Sequence, residues 1–238
     1  MNVHVNEADF KKAIDNVMVN LTGIDDLYPG QYDLLEALMK NENIFYTSAT
    51  NSGKTLPAVM YPEVLKHLSS MGYEFPRNPR VLFVTQLNSI KLSLLNNVQG
   101  LGISCESVSN ENVNTLMDSD TSVLFISPEV LKSQEVTKVL LKHRSDFVLK
   151  VVDEAHLGKM PFKVLKLILD LHCYHSMSNT YFLNADAAYS CKLYKKIADT
   201  ANHCKCTPSL IILLPSCELG SAAGFEGCFP TTYGAIFW

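Results

Sequence analysis

Two short stretches of this chain carry the residue types of phosphate and metal chemistry. Ser48-Ala49-Thr50-Asn51-Ser52-Gly53-Lys54-Thr55 follows the G-x-x-x-x-G-K-[ST] pattern of a phosphate-binding loop, with Ser48 where the first glycine would stand. Its second half is intact. Gly53 lets backbone amides crowd the phosphates, Lys54 sets a positive charge on the β and γ oxygens, and Thr55 offers a hydroxyl to Mg²⁺ at the start of a helix. Thr50, Asn51 and Ser52 complete the cradle. The second stretch is Asp153-Glu154-Ala155-His156, directly after Val151-Val152. An acidic pair at the end of a buried strand is costly without a partner. In phosphate-loop proteins the first acid holds Mg²⁺ and the second polarises the attacking water, which assigns Asp153, Glu154 and Lys54 to catalysis, and Thr55 with Asp153 to the metal. Taken singly, a small polar loop and a solvated strand end are the plainer readings. Together and in this order they form the two halves of one Mg-nucleotide site.

The composition sets limits on partners. At 47% apolar and 18% charged, the 238-residue chain is an ordinary globular one able to build a sizeable core. Its net charge of −4 gives no global basic footprint, so contact with nucleic acid must come from local groups. The polar start Met1-Asn2-Val3-His4-Val5-Asn6-Glu7 lacks the apolar core of a signal peptide, and the expectation is an intracellular protein without membrane contact. The seven cysteines are expected to be free thiols. Zinc is disfavoured because neither Cys204-Lys205-Cys206 nor His172-Cys173-Tyr174-His175 has the spacing of a structural knuckle.

These residues need elements to position them. Phe10, Ile14, Val17, Met18 and Leu21 recur at helical spacing between a capping Asn6 and a stop at Gly23, and Leu34, Leu35, Leu38 and Met39 mark a second helix after a break at 27–31. Ile44 to Thr47 reads as a buried strand feeding the phosphate loop. Leu56 to Met71 reads as a helix kinked at Pro62. Strands are expected at Val81–Val84, Ile103–Val108, Val123–Ile126 and Phe147–Val152, with helices at Asn88–Gln99, at Val130–His143 (interrupted near Ser133) and at Tyr189–Ala201. Lys150, inside an otherwise apolar strand, has no account from sequence. Short apolar strands alternating with helices predict an α/β fold: a mainly parallel sheet flanked by helices, preceded by an N-terminal helical segment. In such sheets ligands sit at the carboxyl ends of the strands, where both chemical stretches fall.

With these motifs in order, the chain resembles the first RecA-like motor domain of a superfamily 2 DNA helicase of the DEAH-bearing RecQ type. Pro29-x-Gln31 resembles the motif upstream of the phosphate loop. Thr85-Gln86-Leu87-Asn88-Ser89-Ile90 resembles motif Ia, Phe125-Ile126-Ser127-Pro128-Glu129-Val130-Leu131 resembles motif Ib, and Asp153 to His156 is motif II. The resemblance implies ATP as the nucleotide, with Gln31 reading the adenine edge and Tyr28 stacking where the family carries an arginine. It also implies a path for single-stranded or forked DNA along Thr85, Leu87, Asn88, Ser89, Ser127, Pro128 and Glu129, with His156 coupling the two sites. Read without the family, Ser127-Pro128-Glu129 is also a good helix cap. A nuclear location, DNA repair or recombination, and 3′-5′ polarity come with the resemblance.

Besides Tyr28, the sequence departs from that family in four places. Asn51 replaces a loop glycine. Leu157 to Phe162 stands where the family has an aromatic, Trp-containing loop, and Leu183-Asn184-Ala185-Asp186-Ala187 lacks the hydroxyls of the next motif. Motifs of a second motor domain, source of a transition-state arginine, are absent, so weak ATP binding and slow hydrolysis are expected unless that domain or a partner acts in trans. Residues 207–238 contain no Lys or Arg. The expected division is a helical segment at 1–26, an ATP-binding domain at 27–201 and an atypical tail at 202–238, from a truncated product, an alternative splice ending or a mispredicted gene end. A strand and loop covering the sheet edge is the plainer account of that tail. Two other functions stay open: a non-catalytic module that binds nucleotide, DNA or a partner, and a fragment of a superfamily 2 RNA helicase.

Overall fold

A computed structural model describes residues 4–40, 44–48, 53–85, 88–153, 179–183, 210–215 and 234–237. The helix expected at 189–201 lies outside them, as does the His/Cys-rich stretch 172–175.

Helix α1 runs Glu7–Asn20 and starts where the cap rule puts it: Asn6 Oδ1 accepts the Ala8 amide at 2.8 Å. The helix ends earlier than the expected stop at Gly23: Leu21 is its extended C-cap, its amide donating to the Met18 carbonyl, and Gly23 follows in the turn at φ +76°. Substituting Asn6→Ala should cost about 1 kcal/mol. Thermal unfolding of the purified chain measures this, and an unchanged midpoint would remove the cap from the account.

Helix α2 spans Pro29–Met39. The expected break at 27–31 is corrected here. Proline at the first helical position loses only an amide that has no intrahelical partner, so Pro29 starts the helix and Gln31 lies in its first turn. Helix α3 spans Thr55–Ser70 and continues through Pro62. Its flanking residues Tyr61, Val64, Leu65 and Leu68 are buried, and their packing offsets the missing backbone bond. The Tyr61 hydroxyl reaches the Leu38 carbonyl of α2 at 3.5 Å, and burial raises the phenol's pKa.

The remaining elements are strand β1 (Ile44–Ser48), β2 (Arg80–Val84), α4 (Asn88–Gly100), β3 (Cys105–Ser107), α5 (Val113–Met117), β4 (Val123–Ile126), α6 (Pro128–Leu131), α7 (Gln134–Lys142) and β5 (Phe147–Asp153). Beyond them come β6 (Asn179–Leu183), β7 (Leu210–Pro215) and β8 (Gly234–Phe237). The helical stretch expected at 130–143 is interrupted as predicted at Ser133, which stands at the N-cap position of α7 after the short α6, and Ile103–Val108 shortens to Cys105–Ser107.

Among the described residues eight strands form one sheet in the order β3-β4-β2-β5-β6-β7-β1-β8, and every pairing between them is parallel. This is the predicted α/β architecture. Val81, Phe83, Val123, Phe125, Leu149 and Val151 join α1, α2 and α3 in one core cluster, while the alternate residues Leu82, Val84, Leu124 and Val152 are buried outside it. Period-2 alternation therefore places apolar residues on both covered faces, as a parallel sheet requires. Lys150 lies fully buried, in register with Leu82 and Thr180. An irregularity between Arg80 and Val81 leaves Val148 as the extra residue of a bulge.

Two polar clusters fix the amino ends of the strands, opposite the phosphate loop. The Arg80 guanidinium donates to the Ser119 carbonyl and to Met117 Sδ at 3.5 Å; desolvation lowers its pKa, against the raising fields of Asp146, Asp120 and Asp118. On α3, Lys66 Nζ bonds Ser122 Oγ at 2.8 Å and Glu63 Oε1 at 3.0 Å, and Ser122 Oγ donates to Glu63. These bonds pin the later half of α3 to the start of β4.

The tail expected to begin at residue 202 contributes two strands to the sheet, one of them interior. Leu210–Pro215 pairs with β6 on one side and β1 on the other, and Gly234–Phe237 pairs with β1. The apolar run 210–214 is thus an interior strand where a sheet-edge cover was the plainer account.

Candidate functional site

Because all strands are parallel, their carboxyl ends share one rim. Across it stand Ser127 after β4, Thr85 after β2, Asp153 ending β5, Leu183 ending β6, Pro215 ending β7 and Ser48 ending β1. The rim brings Thr85, Ser127 and Asp153 onto three adjacent strands. Two strands then separate Asp153 from the strand that enters the phosphate loop, a spacing of about 14 Å between β5 and β1. Register runs across the gap without a break, Val152 to Phe182 to Ile212 to Phe45. Helix α3 packs against β2 and β5, the acid's half of the sheet.

The best-defined part of the site is the junction of α2 with the phosphate loop. Gly53 sits at φ +74°, a left-handed conformation that glycine adopts without steric cost. Its carbonyl accepts two bonds, from the Leu56 amide at 3.0 Å and from Gln31 Nε2 at 3.0 Å. Gln31 is itself 3% exposed, and its Oε1 accepts the Tyr28 amide at 3.0 Å. One side-chain amide therefore ties the start of α2 to the start of α3. A β-carbon on Gly53 would come within 2.4 Å of Gln31 Nε2. Tyr28, whose amide meets Gln31 at this junction, is 68% exposed. Sequence spacing singled out Gln31 and Gly53 separately; their hydrogen bond was not readable from it.

Lys54 caps α3 and is 7% exposed, and Thr55 is its first residue and half-buried. Both stand at the amino end of a long helix, where unsatisfied amides and the helix dipole favour an anion. Thr50, Asn51 and Ser52 of the predicted cradle, and Glu154 and His156 of the acidic motif, lie outside the described residues. Asp153 is placed at its register position opposite Leu183. A hydroxyl and a carboxylate are hard oxygen donors of the type Mg²⁺ takes, and the donor set Thr55 with Asp153 fits that ion. Among the described residues there is no cluster of three or more His, Cys, Asp or Glu side chains. Cys105, the cysteine among them, is buried, and desolvation with the nearby Glu106 pushes its thiol up to about 11.

The residues expected along nucleic acid divide. Thr85 is buried at the end of β2, its amide bonded to the Ile126 carbonyl at 3.0 Å, and its hydroxyl has no partner among the described residues. Ser127 spends its hydroxyl on the cap of α6, accepting the Val130 amide at 3.4 Å; Pro128 is buried at the first helical position and Glu129 is exposed. The cap reading of Ser127-Pro128-Glu129 is therefore realised. Asn88 opens α4 with Ser89 behind it, and Leu87 lies outside the described residues.

Comparison with known proteins follows the same lines. The family model for the res subunit of type III restriction enzymes, ResIII, matches residues 10–183. No curated protein matches the sequence significantly. Among solved structures, the chain is similar to the DUF1998 helicase MrfA bound to DNA and AMPPNP, with a TM-score of 0.60 and 17% identity over 90% of this chain and 29% of that one. It is also similar to a hypothetical ATP-dependent RNA helicase from Sulfolobus tokodaii, with a TM-score of 0.52 and 15% identity over 87% of this chain and 57% of that one. A third is the Mycobacterium smegmatis helicase Lhr bound to ssDNA and AMP-PNP, with a TM-score of 0.51 and 16% identity over 98% of this chain and 28% of that one. The chain thus spans less than two thirds of each of these proteins. The phosphate loop, the acid at a strand end and the parallel sheet agree with the matched model: the chain belongs to the ResIII family and has the RecA-like fold of helicase motor domains.

Proposed function

We propose that this chain is the nucleotide-binding motor domain of an ATP-dependent DNA helicase of RecQ type, acting 3′-5′ and in the nucleus. The observation that carries the ATP reading is the hydrogen bond from Gln31 to the Gly53 carbonyl, which joins a candidate adenine-reading residue to the phosphate loop. A side-chain amide carries a donor and an acceptor together, matching in type the N6 and N7 edge of adenine, which Gln31 would take up by exchanging the Gly53 and Tyr28 partners it holds here. Tyr28 stacks on the base, while Lys54 and the first amides of α3 draw the β and γ phosphates to the helix terminus. Thr55 and Asp153 would hold Mg²⁺, which neutralises phosphate charge when bound. Glu154 orients and deprotonates the water whose oxygen bonds to the γ phosphorus. As the bond to the β–γ bridging oxygen breaks, ADP leaves with its electron pair. An arginine from a second motor domain or a partner in trans completes charge stabilisation, and His156 couples the turnover to DNA held along the rim at Asn88 and Ser89.

The test is phosphate release from ATP by the purified chain, alone and with single-stranded DNA or RNA of the same sequence. Slow release stimulated by DNA and not by RNA is the expected result. Stimulation by RNA alone would replace the substrate with RNA, and nucleotide binding without release under any condition would leave a binding module.

A further inference from the structure

We infer that strands β7 (Leu210–Pro215) and β8 (Gly234–Phe237) are working parts of the nucleotide site, because they are the partners that hold the phosphate-loop strand in the sheet. The inference rests on reading Ser48 to Thr55 as a nucleotide site.

Among the described residues β1 pairs with β7 and β8 alone: Ile44–Ser48 lie against Ile211–Pro215, and Ile44–Thr47 against Gly234–Phe237. Strand β6, the last strand before residue 184, pairs with β5 and β7 and not with β1. Every ladder of backbone bonds from the acid strand to the loop strand therefore passes through Leu210–Pro215. Each paired strand fixes its neighbour at about 4.8 Å. The end of β7 is in direct register with the loop entrance, Pro215 opposite Ser48. Beyond β1 stands β8 alone, at the sheet's edge. The position of the loop's entrance relative to Asp153 is thus set by a segment that carries no residue of the phosphate or acid motifs.

Coupling of this kind is reciprocal. If β7 and β8 hold the loop in its binding geometry, a nucleotide held by that loop must in turn hold β7 and β8 in place. Opening of these strands would then require the nucleotide to leave, and their amide exchange would slow by as much as about 100-fold at a ligand concentration 100 times Kd.

The experiment is hydrogen exchange on the full chain with and without Mg²⁺ and a non-hydrolysable ATP analogue, its Kd measured first on the same preparation. Amides of Ile211–Leu214 and Ala235–Phe237 are expected to slow in the unmodified chain and to remain unchanged in Lys54→Ala. Unchanged exchange there, with nucleotide bound, would overturn the inference while leaving the nucleotide reading standing. Absence of any Lys54-dependent binding would instead overturn the nucleotide reading and the inference with it. A second variant, Ile212→Pro, removes a ladder donor from an interior strand. It should weaken nucleotide binding at least 10-fold while α1, α2 and α3 keep their exchange protection, and wild-type affinity in a folded I212P chain would overturn the proposal. Should that variant unfold, exchange in the unmodified chain decides.

Discussion

Lys54→Ala should lower ATP turnover by about 10²–10³-fold while leaving the thermal midpoint within a few degrees of the unmodified chain. Lys54 stands at the N-cap position of α3 at 7% exposure, so on the proposed function its charge would meet phosphate in a site where water competes poorly. Removing it takes away a group whose interaction grows as charge moves onto the leaving oxygens, and the loss is expected in kcat more than in KM. Lys54→Arg should restore little, because a planar fork does not replace a compact ammonium in a loop built around one. Steady-state phosphate release with and without single-stranded DNA measures both variants. Turnover of K54A within threefold of the unmodified chain would remove Lys54 from the chemistry.

Gly53→Ala should destabilise the chain by about 1–3 kcal/mol from backbone strain alone. Loss of the Gln31 bond to its carbonyl should add about 1 kcal/mol. Two costs combine here: a β-carbon at φ +74° is strained wherever it stands, and at this position it also meets Gln31 Nε2 at 2.4 Å. The two separate in a double-mutant cycle. Gln31→Ala removes the close contact, so G53A in the Q31A background should cost less than in the unmodified chain, the remainder being the backbone strain. Nucleotide affinity should follow the same cycle. Equal costs in both backgrounds would mean that the side chain yields freely and that the latch between α2 and the loop has no energetic weight.

Gly53-Lys54, Asp153 and Gln31 were legible in the sequence because each belongs to a short local pattern, and the structure places them at the start of α3, at the end of β5 and in the first turn of α2. Val123–Ile126 was readable for a similar reason: four apolar residues bounded by polar ones have one comfortable place in an α/β chain. Helix α5 was missed because its five residues, Val113 to Met117, include Asn114 and Thr115 and are too few to show a helical period. Pro29 misled because proline both breaks helices and starts them. Strand order was beyond reach altogether. The run 210–214 advertises a strand, but nothing in its period says that it stands between β6 and β1. Nor does the composition of the last 30 or so residues, poor in charge, reveal that their strands flank the loop strand.

Helix α3 is tied differently at its two ends: Lys66 and Glu63 hold its later half to Ser122, whereas its first turn meets Gln31 through the Gly53 carbonyl. Strand β1, which leads into that turn, has a different kind of dependence, one of time. During synthesis at about 5–20 residues per second, it leaves the ribosome on the order of 10 s before either of its strand partners. In that interval Ile44 to Thr47 is an apolar strand with both edges unpaired, and contacts so distant in sequence close slowly. The nucleotide site is therefore among the last parts of this domain to be completed, and the nascent chain is most exposed to aggregation while its most chemically specific loop is still unsupported.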